Sequence, residues 1–129
     1  MRYWFDTEFI ERGPEYPIRL LSIGIVAEDG REFYAEIRDA DRLIREDAHR
    51  FGDAWLTKNV LPHLMKHAAD PKGCAAGCAA CRQTYNLVQL SVAIRTFCSI
   101  EKHGKPEFWA YYADYDWVVF CQIFGSMIE

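Results

Sequence analysis

Apolar and polar positions along this chain predict strands first and helices afterwards. Met1 to Glu11 is dominated by aromatic and β-branched side chains, Tyr3, Trp4, Phe5, Phe9 and Ile10, as in a strand interior to its sheet. Arg12-Gly13-Pro14-Glu15-Tyr16-Pro17 carries two prolines and a glycine and predicts a loop. From Ile18 to Glu28, Leu21, Ile23, Ile25 and Ala27 alternate with Leu20, Ser22, Gly24 and Val26. Both sets are largely apolar or small, as in a strand covered on both faces. Asp29-Gly30 is a strong hairpin signal, and Glu32 to Ile37 returns as a third, more polar strand. Three strands joined by short connections make an antiparallel meander.

Helical spacing begins further on. Asp39 to His49 is charged and partly helical, anchored by Leu43 and Ile44, and Phe51-Gly52 interrupts it. Asp53 can N-cap a short helix through Trp55, Leu56 and Val60 that Pro62 ends. Ala68 to Cys81, rich in Ala, Gly and Cys, reads as a surface loop. Leu87, Leu90, Ile94 and Phe97 fall on one helical face and predict a helix over about Gln83 to Lys102, closed by Gly104. Glu107 to Tyr112 predicts a fourth strand with Trp109 in the core, and a last helix runs from near Asp116 to Gly125. Cys98 and Cys121, on apolar helix faces, are expected to be small buried hydrophobes. The order gives an α/β domain with a mixed sheet, the meander joined by a fourth strand after a helical crossover.

Composition narrows the class. At 129 residues the chain makes one domain, and with half its residues apolar and 15% aromatic it folds around a core. A net charge of −4 argues against coating long nucleic acid through a broad basic surface, although a site can still hold phosphates through its own metal ions. No run approaches membrane-spanning length, and Asp6 and Glu8 interrupt any leader-like segment at the N-terminus. Five cysteines, an odd number, without an export signal fit a reducing cytoplasm.

The chemistry is concentrated in Phe5-Asp6-Thr7-Glu8-Phe9. Side chains alternate along a strand, so Asp6 and Glu8 project from one side, where they repel and raise each other's pKa unless a cation lies between them. A hard divalent ion, Mg²⁺ or Mn²⁺, suits two carboxylates. The plainer reading is a solvated strand face.

These residues resemble a known family. Phe5-Asp6-Thr7-Glu8-Phe9 is similar to the Asp-x-Glu motif of the DnaQ-like, or DEDD, 3′-to-5′ exonucleases, and Ile23-Gly24-Ile25-Val26 with Asp29-Gly30 is similar to their second strand. Trp109-Ala110-Tyr111-Tyr112-Ala113-Asp114-Tyr115-Asp116 resembles the second motif, an aromatic residue and an Asp at a helix start, and selects Asp116 rather than Asp114. Within the superfamily the likeness is to small stand-alone bacterial exoribonucleases with a Tyr-Asp-Thr-Glu-Phe-Ile strand and a Trp followed by Val-Leu-Pro, as Trp55 and Val60-Leu61-Pro62 stand here. It implies an RNase H-like mixed sheet and two-metal phosphodiester hydrolysis with Mg²⁺ or Mn²⁺ at the 3′ end of single-stranded RNA. Asp6 would bridge the ions, Glu8 would bind the nucleophile-side ion, and Asp116 would hold an ion's water. Phe9 and Ile10 would lie beside the terminal nucleotide, and Trp55 would be a stacking platform or a core plug.

The resemblance lacks one part. The family's third motif, a His and an Asp on a last helix after a fifth strand, has no counterpart after Asp116, and His49, His63, His67 and His103 all precede it. The expectation is a single exonuclease-like domain over residues 1–129, incomplete at its C-terminus before the last strand and helix. A non-catalytic module that grips nucleotide ends or a protein is the alternative, and an uncovered sheet edge would favour a homodimer. Cys74-x3-Cys78-x2-Cys81 has the spacing of a radical SAM cluster motif, but the chain is too short for the barrel those enzymes need. With His67, or His63 one turn earlier, the three thiolates could instead hold zinc, or they are simply thiols in a variable loop; a structural zinc-loop protein is the third reading.

Overall fold

A computed structural model describes residues 1–38, 40–51, 54–64, 84–111 and 113–125, with side chains 47–51 outside that description. The elements are β1 (Arg2–Ile10), β2 (Arg19–Ala27), β3 (Glu32–Ile37), α1 (Ala40–Phe51), α2 (Ala54–Asn59), a 3-10 turn (Leu61–His63), β4 (Thr84–Tyr85), α3 (Leu87–Cys98), α4 (Ile100–His103), β5 (Glu107–Trp109) and α5 (Asp114–Ile123). Among the described residues they form one mixed sheet in the order β4-β3-β2-β1-β5. β1, β2 and β3 are the antiparallel meander expected from their alternation, while β5 lies parallel to β1 and β4 parallel to β3. The α/β class and the RNase H-like arrangement of the mixed sheet both hold.

One face of the sheet carries the larger core. Tyr3 and Phe5 of β1, Ile23, Ile25 and Ala27 of β2 and Ala35 of β3 pack against Leu90, Ile94 and Cys98 of α3 and Val119, Phe120 and Ile123 of α5. Among the described residues the opposite face is covered at one end, where Ile10 and Leu21 meet Ala40 and Ile44 of α1, Leu56 of α2, Val60 and Leu64. At its other end Trp4, Val26 and Trp109 are 44%, 45% and 51% exposed, and Trp4 is the register partner of both others. Asp6 and Glu8 stand between the covered and the open ends.

Several boundaries differ from the sequence pattern for local reasons. The register shifts between Glu8 and Phe9, which pair with Ser22 and Leu20, so Leu21 is an extra residue in β2. Side-chain parity flips there: Leu20 turns into the larger core and Leu21 into the smaller. The helix expected from Gln83 begins at Leu87, because Asn86 and Gln89 form a reciprocal capping box, and Thr84–Tyr85 pairs as a short strand instead. It breaks at Ser99, whose φ is 26°, before Gly104 closes α4 as the spacing implied.

The fourth strand of the pattern is β5, three residues long, and Trp109 is half-exposed on the sheet's open face and not in the core. Its indole N–H donates to Glu107 Oε1 at 3.1 Å. Both edges of the described sheet are strands of two and three residues, a length that blunts edge pairing. Cys98 is buried as expected, and Cys121 is half-buried. No helix among the described residues is long and apolar enough to cross a membrane. Asp53, Tyr112 and the segment with His67, Cys74, Cys78 and Cys81 lie outside the described residues, and with them the zinc expectation.

Candidate active site

The site is built on the short reach of β5. This strand pairs with β1 only from Arg2 to Trp4, so beyond Trp4 the β1 edge has no strand beside it among the described residues. The first turn of α5 arrives there. Asp116, 8% exposed, accepts the Thr7 backbone N–H at 3.0 Å on Oδ1, and the Thr7 hydroxyl donates to the same oxygen. A buried carboxylate thus takes the backbone donor that a longer β5 would have used. The contact joins residues 109 positions apart and sets Asp116 beside the step between Asp6 and Glu8. Asp114, by contrast, is exposed.

Asp6 and Glu8 share the face opposite Thr7, as alternation required. Burial raises the pKa of Asp6, and the charge of Asp116 raises it further. Burial likewise raises Glu8, with the charges of Asp6 and Asp116 adding to it. Three acids in electrostatic contact, two of them reluctant to ionise, form a donor set that a hard divalent cation would relieve. Among the described residues no group of three or more His, Cys, Asp or Glu side chains is placed to hold a metal ion as the site stands. Carboxylate oxygens are the donor type that Mg²⁺ or Mn²⁺ takes.

A cleft of about 340 Å³ opens above this pair. Its floor is Asp6 and Glu8 of β1 with Ser22 and Gly24 of β2; Tyr34 of β3 stands on one side, and Asn59, Val60, His63 and Leu64 come from α2 and the turn after it. Sequence reasoning missed Ser22, Gly24, Tyr34 and Asn59, although cross-strand register places Gly24 opposite Asp6 and Ser22 opposite Glu8. Tyr34 is held by its hydroxyl, which donates to Glu36 Oε1 at 2.8 Å, and Glu36 is 2% exposed. Burial and then this bond push the Tyr34 pKa well above the usual phenol range.

The remaining candidates fall elsewhere. Trp55 is 60% exposed on α2, so it is not a core plug, and it does not line the cleft; Asn59, which does, donates to its carbonyl at 2.9 Å. Phe9 stacks on Tyr115 with ring centroids 5.7 Å apart and packs against the larger core. Ile10 is 1% exposed in the smaller one. Neither lines the cleft. His63, weighed for zinc in the sequence, stands at the cleft instead.

The profile of a family described as the 3′-5′ exoribonuclease Rv2179c-like domain matches residues 1–129. The chain belongs to this family. As an Rv2179c-like domain it is similar to the 3′-5′ exoribonuclease Rv2179c of Mycobacterium tuberculosis strain ATCC 25618 / H37Rv, with 38% identity over 127 residues. The 3′-5′ exoribonuclease MT2234.1 of strain CDC 1551 / Oshkosh matches to the same extent. The alignment takes in 98% of this chain and 63% of either relative, so the Rv2179c-like domain described here spans under two thirds of their length.

The raised carboxyls make a stability prediction. A folded-state pKa above the unfolded value means that the folded chain binds the proton more tightly, so stability falls as pH rises through that window and is level above it. Without divalent ions, Glu8→Gln is expected to melt a few degrees higher than the unaltered chain at neutral pH, with the difference closing below the usual carboxylate range. Thermal unfolding followed by circular dichroism in a chelating buffer across that range checks it. An equal or lower Tm at neutral pH would mean that Glu8 is not under electrostatic strain.

Proposed function

We propose that this Rv2179c-like domain carries the metal-binding part of a DEDD-type 3′-to-5′ exoribonuclease, acting on the 3′ end of single-stranded RNA with Mg²⁺ or Mn²⁺. The observation that carries the reading is the bond from Thr7 to Asp116, which unites the Asp-x-Glu strand with the aspartate of the second motif. The names of the two relatives support the reaction class.

Asp6 and Glu8 would hold the ions, and Asp116, clamped by Thr7 through one oxygen, has its second oxygen to offer them. When bound, such ions lower the pKa of a water and stabilise the oxygen that leaves the phosphate. The protein's share is placement. The β1 backbone sets Asp6 and Glu8 on one face, α5 delivers Asp116, and α2 with its following turn walls the cleft so that a strand end enters beside the carboxylates. A net negative chain needs the ions to bring a phosphate to three acids at all.

A 5′-labelled single-stranded RNA incubated with the protein in Mg²⁺ or Mn²⁺ is expected to shorten stepwise from its 3′ end, and a chelator is expected to stop it. Cleavage that persists in the chelator, or that starts internally, would overturn the assignment.

A further inference from the structure

Gly24 stands in the interior of β2 where nothing among the described residues asks for a glycine. Its φ lies outside the left-handed region, so the backbone would accept any L residue. The register is regular at this point, with the bulge further along at Leu21. A Cβ built on Gly24 meets nothing within 4 Å among the described residues, so close packing does not exclude one either. Glycine weakens a strand interior, and a site where a ligand approaches closely is one of the few reasons to keep it there.

The neighbours of Gly24 show what the space is for. Asp6 and Tyr34 are its register partners on either side, and all three line the cleft. The row Asp6–Gly24–Tyr34 is therefore a slot two strand spacings wide, about 10 Å between the outer Cα atoms, with a bare floor. One wall is a carboxylate. The other is a tyrosine whose hydroxyl is tied to the buried Glu36, which fixes the ring beside the floor.

We infer that this slot seats the terminal nucleoside of the substrate, with Gly24 providing clearance for it, its sugar toward Asp6 and its base against the Tyr34 ring. The inference rests on the exoribonuclease reading and adds two substrate-seating residues to it. An aromatic ring held in place loses little freedom on stacking and accepts any base, which suits an enzyme that removes nucleotides one after another.

The test uses a 5′-fluorescein-labelled single-stranded RNA in Ca²⁺, read by anisotropy, with Mn²⁺ binding by titration calorimetry and Tm measured alongside. Gly24→Val is expected to weaken RNA binding by about tenfold or more, with Gly24→Ala between it and the unaltered chain, and Tyr34→Ala is expected to weaken it comparably. Gly24→Val should keep the affinity for Mn²⁺ and should melt no lower than the unaltered chain, since valine suits a strand better than glycine. Undiminished RNA binding by Gly24→Val would remove the slot while leaving the exoribonuclease reading untouched. A Gly24→Val protein with a lowered Tm, or with Mn²⁺ affinity lost in parallel, would make the glycine structural and overturn the inference. RNA binding that is absent from the unaltered chain, or indifferent to Asp6→Ala, would sink the exoribonuclease reading and this inference with it.

Discussion

Replacing Asp6 by asparagine is expected to slow 3′-to-5′ hydrolysis of RNA by about a thousandfold while leaving the fold in place. A cation at the scissile phosphate supplies several kcal/mol of transition-state stabilisation, and each ~1.4 kcal/mol is tenfold in rate, so if Asp6 is the ligand proposed above its loss would cost about three powers of ten. The fold should not suffer, because the Asp6 side chain points into the open cleft and not into either core. Its carboxyl is held above the ordinary range by burial and by Asp116, so the neutral amide removes a repulsion and should raise Tm slightly in metal-free buffer. Steady-state hydrolysis of a labelled RNA together with Tm in chelator checks both halves. A variant that keeps more than about a tenth of the rate would exclude Asp6 as a metal ligand. One that unfolds would show that its role is structural.

The joint expectation, more stable and less active, separates a functional acid from a structural one. A carboxylate kept for stability sits beside a cationic or donating partner and its removal lowers Tm; Glu28 against Arg2, at 2.9 Å, is that kind of pair on this chain. Asp6 and Glu8 are arranged the opposite way. Their nearest charged influences are each other and Asp116, all of one sign. Such a group favours either its protonated form or a cation beside it, which is what the Asp-x-Glu pattern led one to expect.

Much of the fold was legible because period-2 alternation and turn residues are local signals. The meander followed from Asp29-Gly30 and the apolar sets on either side of it, and the parallel placement of β5 followed from a helical crossover. What was not legible depended on pairing. Leu21 belongs by alternation with Ile23 and Ile25, yet the bulge opposite Glu8 turns it over. Trp109 looked like core because strands rich in aromatics are usually covered, but it is half-exposed, and among the described residues its face of the sheet is covered at the other end. In the site, Asp6, Glu8 and Asp116 were readable as types in a pattern. Gly24 and Tyr34 were not, since a glycine and a tyrosine carry no chemistry until the register sets them beside an acid. Phe9 and Ile10, which the resemblance implied beside the terminal nucleotide, pack against the two cores and do not line the cleft.

Asp116 should respond differently from Asp6 because it is both buried and bonded. In Asp116→Ala the Thr7 backbone N–H and hydroxyl lose their shared acceptor in a buried setting, at a cost of about 1 to 3 kcal/mol for each donor left without a partner. Relief of the repulsion on Asp6 and Glu8 offsets part of this, so the expected net is about 2 to 3 kcal/mol. That corresponds to a Tm lower by about 10 °C for a domain of this size. Asp116→Asn keeps an oxygen for Thr7 and removes the charge. It should melt within a few degrees of the unaltered chain, yet lose hydrolysis by about a hundredfold or more, since the group it would turn to the ions is an amide NH2, which cannot ligate a cation. Thr7→Val completes the series by removing the hydroxyl alone, with a smaller loss of stability and an activity between that of Asp116→Asn and that of the unaltered chain, because the backbone N–H still orients the carboxylate. Thermal unfolding and hydrolysis rates measured on all three proteins decide the matter. An Asp116→Ala chain as stable as the unaltered one would mean that the clamp does not hold β1 to α5. An Asp116→Asn chain of full activity would leave Asp116 as a joint between the two elements and no part of the chemistry.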